Sequence, residues 1–247
     1  MADVTLDELL RGRLRLLQPR RGYRLSVDPL LLADFALRQC GPAPGRVCDL
    51  GAGVGVVGVA LLRAAPTATG LLVELQPRLC DLARRNVELN GLGGRLESHE
   101  GDLRQLPARY HGRFDLCVAN PPFRSVGSGK PNPDPEKALA NVEVACSLAD
   151  LAAAAHRLLK PRGHLALVHD AARLAEVLAV LPAAGLRPEV LRLVHPRADE
   201  AASRLLLLAR RVAGPSPLRT EPPLVLHETD GSYTTEAATI LGEAREG

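Results

Sequence analysis

Apolar residues along this 247-residue chain recur in two rhythms, short unbroken runs and longer stretches spaced as on a helix. Arg46–Leu50 predicts a short strand, followed by a Gly-rich turn and a helix to about Ala65. Gly70–Leu75 predicts the next strand, and Pro77–Asn90 a helix that Asn90-Gly91 stops. Arg95–His99 and Phe114–Ala119 read as a third and fourth strand, the latter ended by Asn120-Pro121-Pro122. Val144–Leu159 is Ala/Leu-rich and helical, with Pro161 and Gly163 as its stop. His164–Val168 reads as a fifth strand and Ala171–Leu181 as a helix. Pro188–His195 and Arg204–Arg211 are late strands separated by a short polar turn, so this last pair is expected to be antiparallel.

Strand–helix alternation of this kind predicts an α/β fold, a doubly wound, mainly parallel sheet with helices on both faces. Ligands of such sheets bind beyond the carboxyl ends of the strands, near the point where the strand order reverses. The loops after the first four strands are therefore where chemistry is expected. Ser125–Lys137, rich in Gly, Pro, Asn and Ser, reads as a mobile loop beside the end of the fourth strand. The division expected is a basic segment and helix over 1–45, a main domain over 46–213, and a Pro-rich link with a short packed tail over 214–247, all in one unit.

Composition narrows the picture. Phe and Tyr are scarce and Trp is absent, so the core must be built from Leu, Val and Ala. The net charge is only +3. Its placement is uneven, because residues 1–24 hold Arg11, Arg13, Arg15, Arg20, Arg21 and Arg24 against three acids. That segment reads either as a solvated basic face or as an arm that contacts phosphates. The five cysteines form no Cys-x-x-Cys pair, and Cys48 and Cys117 lie in apolar runs, which predicts core cysteines, a reducing cytoplasm and no zinc or other metal site. No apolar signal segment or membrane-spanning stretch is visible, so no membrane partner is expected.

After the first strand comes Asp49-Leu50-Gly51-Ala52-Gly53-Val54-Gly55. Glycines there let the backbone turn sharply and approach a ligand without a Cβ clash. Gly53-x-Gly55-x-x-Gly58 also satisfies a dinucleotide pattern, so the loop alone admits a methyl donor, a nicotinamide cofactor or a bare tight turn. Glu74, ending the second strand beside Leu75, can accept from both ribose hydroxyls of any adenosine-type ligand. Asp102, beside Leu103 after the third strand, can accept from an exocyclic adenine amine. Asp49 can hold either the amino-acid end of a methyl donor or the loop backbone.

Asn120-Pro121-Pro122-Phe123 decides among these alternatives. An aromatic or amide NH₂ is a poor nucleophile because its lone pair is delocalised. A site helps by accepting hydrogen bonds from that NH₂, which raises electron density on nitrogen and aims it at the electrophile. The Asn120 side-chain carbonyl is one acceptor and the Pro121 backbone carbonyl the second, in a loop stiffened by two prolines. Phe123 offers a face for a base to stack on, worth about 1–3 kcal/mol. The chemistry implied is methyl transfer from S-adenosyl-L-methionine to a planar nitrogen.

These two stretches together resemble class I S-adenosylmethionine-dependent methyltransferases that act on planar amino nitrogens. Three further stretches are similar to the bacterial tRNA1(Val) adenine-N6 methyltransferases: Tyr23-Arg24-Leu25-Ser26-Val27-Asp28-Pro29-Leu30-Leu31-Leu32-Ala33, His195-Pro196-Arg197-Ala198-Asp199-Glu200 with Ser203-Arg204-Leu205-Leu206, and Leu224-Val225-Leu226-His227 through Asp230-Gly231-Ser232-Tyr233-Thr234. The resemblance covers nearly the whole chain. It implies a Rossmann-like sheet of seven strands with the last antiparallel. The implied catalytic group is Asn120, Pro121, Pro122 and Phe123. Asp49, Gly51, Ala52, Gly53, Gly55, Glu74, Leu75, Asp102, Leu103 and Asn120 would form the cofactor site. RNA, with tRNA favoured, would be the substrate, and a monomer is favoured. Two departures stand out. Family members carry an Arg-x-Glu-like group after the tetrapeptide, where only Glu143 matches here, and Phe123 replaces the commoner Tyr. The alternatives are a protein-glutamine N5 or guanine-N2 methyltransferase, a nicotinamide-dependent oxidoreductase and a non-catalytic RNA binder. The glutamine enzymes are expected to have a separate substrate domain, whereas about 45 residues precede the first strand here.

Overall fold

The computed structural model of the chain describes residues 4–20, 26–41, 44–121, 146–214 and 217–243. It opens with β1 (Val4–Leu9) and β2 (Leu14–Pro19), an antiparallel hairpin in the segment read above only as basic. There follow α1 (Asp28–Cys40), β3 (Arg46–Leu50), α2 (Val56–Ala64), β4 (Thr69–Glu74), α3 (Pro77–Leu89), β5 (Leu96–Glu100) and β6 (Phe114–Ala119). Beyond residue 146 come α4 (Leu148–Leu158), β7 (Leu159–Asp170), α5 (Leu174–Ala183), β8 (Leu186–His195) and β9 (Arg204–Arg211). The tail adds β10 (Arg219–Thr220), β11 (Leu224–Val225) and α6 (Thr235–Leu241).

The main sheet runs β5-β4-β3-β6-β7-β9-β8. Strands β5 through β7 are parallel, and β9 is antiparallel to both β7 and β8. The doubly wound, seven-stranded core expected from the sequence is present. The two-residue strands β10 and β11 pair with the outer edge of β8, so the sheet has nine strands among the described residues. The chain steps outward from β3 to β5 and then returns to β6 beside β3. The order therefore reverses between β3 and β6, and the carboxyl ends of strands at such a point are where folds of this kind bind ligands.

Each central strand is buried on both faces, as parallel sheets require. On β6, Leu116 and Val118 enter one core while Phe114, Cys117 and Ala119 enter the other. The first core joins the sheet to Leu14 and Leu16 of the hairpin, to α1, α2 and α3, and to Ala237, Ile240 and Leu241 of the tail helix. The second joins it to α4 and α5.

Two boundaries differ from those read in the sequence. The helix expected from Val144 is described from Leu148, where Ser147 and Asp150 form a reciprocal capping box, Asp150 N–H donating to Ser147 Oγ at 3.1 Å and Ser147 N–H to Asp150 Oδ2 at 3.0 Å. Pro161 and Gly163, read as the stop of that helix, lie inside the twelve-residue β7. Arg162 between them has φ +66°, and the β6–β7 register shifts beside it, between Phe114 and Leu116. A bulge tolerates the missing proline N–H. No helix among the described residues is long and apolar enough to cross a membrane.

Candidate active site

The first strand end, at β3, carries the glycine loop. Gly51, Gly53 and Gly55 have φ of +72°, +57° and +87°, a region in which a side chain would be strained. Gly51 N–H and Ala52 N–H both donate to Val73 O at 2.9 Å, and Gly55 N–H donates to Ala52 O at 2.8 Å. A Cβ on Gly51 or Gly53 would meet nothing within 4 Å, so these two glycines face open space. A Cβ on Gly55 or Gly58 would run into the Leu72 side chain, so these two are needed for the packing of α2 on β4. The loop is therefore both a tight turn and an open cradle.

Two buried carboxylates underlie it. Asp49, 2% exposed, accepts from Gly58 N–H in the first turn of α2 at 2.9 Å. Burial pushes its pKa up to about 7, with Gly58 N–H pulling the other way and Glu74 adding to the rise. Glu74 accepts from Gly53 N–H through Oε2 at 2.8 Å and from Gln76 N–H through Oε1 at 2.9 Å. Burial raises its pKa as well, against those backbone donors. Leu75 N–H also donates to the carboxylate, whose two oxygens offer about four lone-pair sites, so acceptor capacity remains for a ligand hydroxyl.

Leu75, next in the chain after β4, is 45% exposed, an apolar side chain with little cover. Leu103 packs against the second core. Asp102 is clasped by Arg104, whose Nε and Nη2 reach its carboxylate at 3.0 and 2.6 Å, and this contact holds its pKa below the usual carboxylate range. A ligand amine at Asp102 would share the carboxylate with that guanidinium.

The second strand end, at β6, carries Asn120. Its Oδ1 is buried and has no hydrogen-bond donor among the described residues. Buried acceptors are nearly always paired, so an unpaired one marks a place where a donor is wanted. β3 and β6 are paired neighbours, so Asn120 stands one residue past β6 just as Gly51 stands one residue past β3. Pro121 follows it and is half-buried. Pro122, Phe123, the stretch Ser125–Lys137 and Glu143 lie outside the described residues.

Residues 29–180 match the family model described as the methyltransferase small domain. The chain belongs to that family. A tRNA1(Val) (adenine(37)-N6)-methyltransferase of Aeromonas salmonicida is 32% identical over 217 residues, 87% of either chain. A release factor glutamine methyltransferase of Rhodospirillum rubrum is 34% identical over 202 residues, 78% of this chain and 59% of the relative. Among solved structures, a protein described as a predicted O-methyltransferase from Agrobacterium tumefaciens superposes with a TM-score of 0.69 at 24% identity, covering 88% of this chain and 97% of that one, a likeness of fold.

In this small-domain methyltransferase one residue of the site was missed by sequence reasoning. Asn86, on α3, donates through Nδ2 to Val54 O of the glycine loop at 2.9 Å. The only local signal is its spacing from Asn90, one turn on, with both side chains buried.

Proposed function

We propose that the chain transfers a methyl group from S-adenosylmethionine to the exocyclic N6 of an adenine in tRNA. The observation that carries this reading is the buried, unpaired Oδ1 of Asn120 beside the open glycine cradle. An acceptor without a donor at this point suits a substrate that brings an N–H. The tRNA acceptor is favoured by the Aeromonas relative, which aligns over 87% of both chains.

Gly51 and Gly53 would receive S-adenosylmethionine and Glu74 would accept from its ribose hydroxyls, with Leu75 and Asp102 further along the same strand ends; the bound cofactor would supply an electrophilic methyl carbon on a sulfonium sulfur. Asn120 Oδ1 and the Pro121 carbonyl accept the two hydrogens of the substrate NH₂. That grip holds the nitrogen in line and offsets the delocalisation of its lone pair. Asn120 needs no general base beside it before transfer. Pro121 and Pro122 restrict the backbone that presents both acceptors. Phe123 provides the stacking face.

A planar glutamine amide would fit the same two acceptors, and the similarity to a release factor glutamine methyltransferase favours that as the second reading. Incubation with labelled methyl donor and either bulk tRNA, digested to nucleosides, or a release factor, digested to peptides, tests the choice. Label in N6-methyladenosine is expected. Label appearing only in a release-factor glutamine peptide would overturn the tRNA assignment, and label in neither would overturn the proposal.

A further inference from the structure

The N-terminal hairpin is fastened to the body by two asparagine side chains. Asn86 Oδ1 accepts from Leu17 N–H at 2.6 Å, and its Nδ2 donates to Leu17 O at 3.0 Å. Asn90, one turn further along α3, repeats the pattern on Arg15, accepting its N–H at 3.1 Å and donating to its carbonyl at 2.7 Å. The two amides thus stand in for a neighbouring strand along β2. Their second donors differ. Asn90 Nδ2 returns to its own helix, at Asn86 O, 2.8 Å away. Asn86 Nδ2 crosses instead to Val54 O at 2.9 Å.

Val54 lies between Gly53 and Gly55, both at positive φ. Peptides flanked by such glycines turn over at little cost, so hydrogen bonds must select their orientation. The amide N–H groups of Gly51, Ala52, Gly53 and Gly55 are each held within the sheet and loop. Gly58 N–H, four residues after Val54 and so its natural helical donor, goes to Asp49. The Val54 carbonyl is anchored by Asn86.

We propose that Asn86 is a positioning residue for the cofactor: it fixes the Val54–Gly55 peptide and makes cofactor affinity depend on the seated hairpin. The inference rests on reading the glycine loop as the S-adenosylmethionine site. Linkage is reciprocal, so cofactor binding must in turn tighten the docking of β2.

Calorimetry with S-adenosylhomocysteine on the full chain separates this role from a purely structural one. Asn90→Ala loosens the hairpin but keeps the bond to Val54 and should raise Kd by about twofold, while Asn86→Ala, losing a hairpin anchor and the bond to the loop together, should raise Kd about fivefold or more. Equal effects of the two substitutions, or no effect of Asn86→Ala, would overturn the proposal. Hydrogen exchange on the unsubstituted protein supplies a readout that needs no folded variant. The ligand should slow exchange of the Leu17 amide, and an unchanged Leu17 rate in the bound protein would count against the coupling. Absence of any binding by the unsubstituted protein would sink the cofactor reading itself, and this inference with it.

Discussion

Asp49 gives the sharpest stability prediction. Its carboxylate is buried beneath the glycine loop and touches Gly58 N–H, and its pKa stands at about 7 in the folded chain. In the unfolded chain an aspartate titrates near 3.9. The folded state therefore holds the proton more tightly. The stability this provides is complete below about pH 4 and is lost as pH rises through about 7. The shift spans about three units at ~1.4 kcal/mol each, so ~4 kcal/mol is the ceiling on the change. Asp49→Asn keeps an acceptor for Gly58 N–H and carries no charge at any pH. Urea unfolding of both proteins at intervals from about pH 4.5 to about pH 8 isolates the effect, since Glu74, His164 and His169 titrate in both. The Asn variant should gain on the parent by about 2–4 kcal/mol across that range. Parallel curves would refute the reasoning, because the buried carboxylate would then not be the group that titrates.

Other consequences follow from the packing. Gly58→Ala drives a Cβ into the Leu72 side chain and to 3.4 Å from Asp49 Oδ2, and should destabilise the chain by about 1–3 kcal/mol in the same unfolding assay. Unchanged stability would mean that α2 does not pack this closely on β4. Arg204 Nε donates to the buried Asp28 Oδ2 at 3.2 Å, joining two stretches that lie 176 residues apart. Arg204→Ala should cost about 2–3 kcal/mol by leaving that carboxylate without this cation, and Asp28→Asn in the same chain should recover most of the loss. Simple additivity of the two substitutions would show that the pair is not coupled.

The parts of the fold legible in the sequence were those that local pattern determines. Strands β3, β4, β6, β7 and β9 contain Val, Leu, Ala and Cys runs because both faces are buried, whereas the edge strand β5 buries only Leu96. The start of α4 was set too early because an Ala-rich stretch continues the helical rhythm backwards, whereas the Ser147–Asp150 capping box sets the described start. Pro161 was taken as a helix stop because a bulge that accommodates proline within a strand depends on the partner strand β6. The hairpin escaped notice for a different reason. Its fully buried leucines are Leu14 and Leu16, set among arginines, and much of its anchoring comes from residues distant in the chain, Asn86 and Asn90 about seventy residues away and the Glu243 carbonyl that Arg11 reaches. In the same way, the strand-end positions of Gly51, Glu74 and Asn120 could be read from strand–helix alternation, but the link from Asn86 to Val54 exists only in three dimensions. The clasp of Arg104 on Asp102, by contrast, joins residues two apart and is a feature of local sequence.

The measurement that bears most directly on the account is the single-turnover rate of methyl transfer to tRNA by Asn120→Ala, taken together with its affinity for S-adenosylhomocysteine. If Oδ1 grips the substrate amine, the rate should fall by about two to three orders of magnitude while cofactor Kd stays within about twofold. A rate close to the parent's, or a loss explained wholly by weakened cofactor binding, would contradict it.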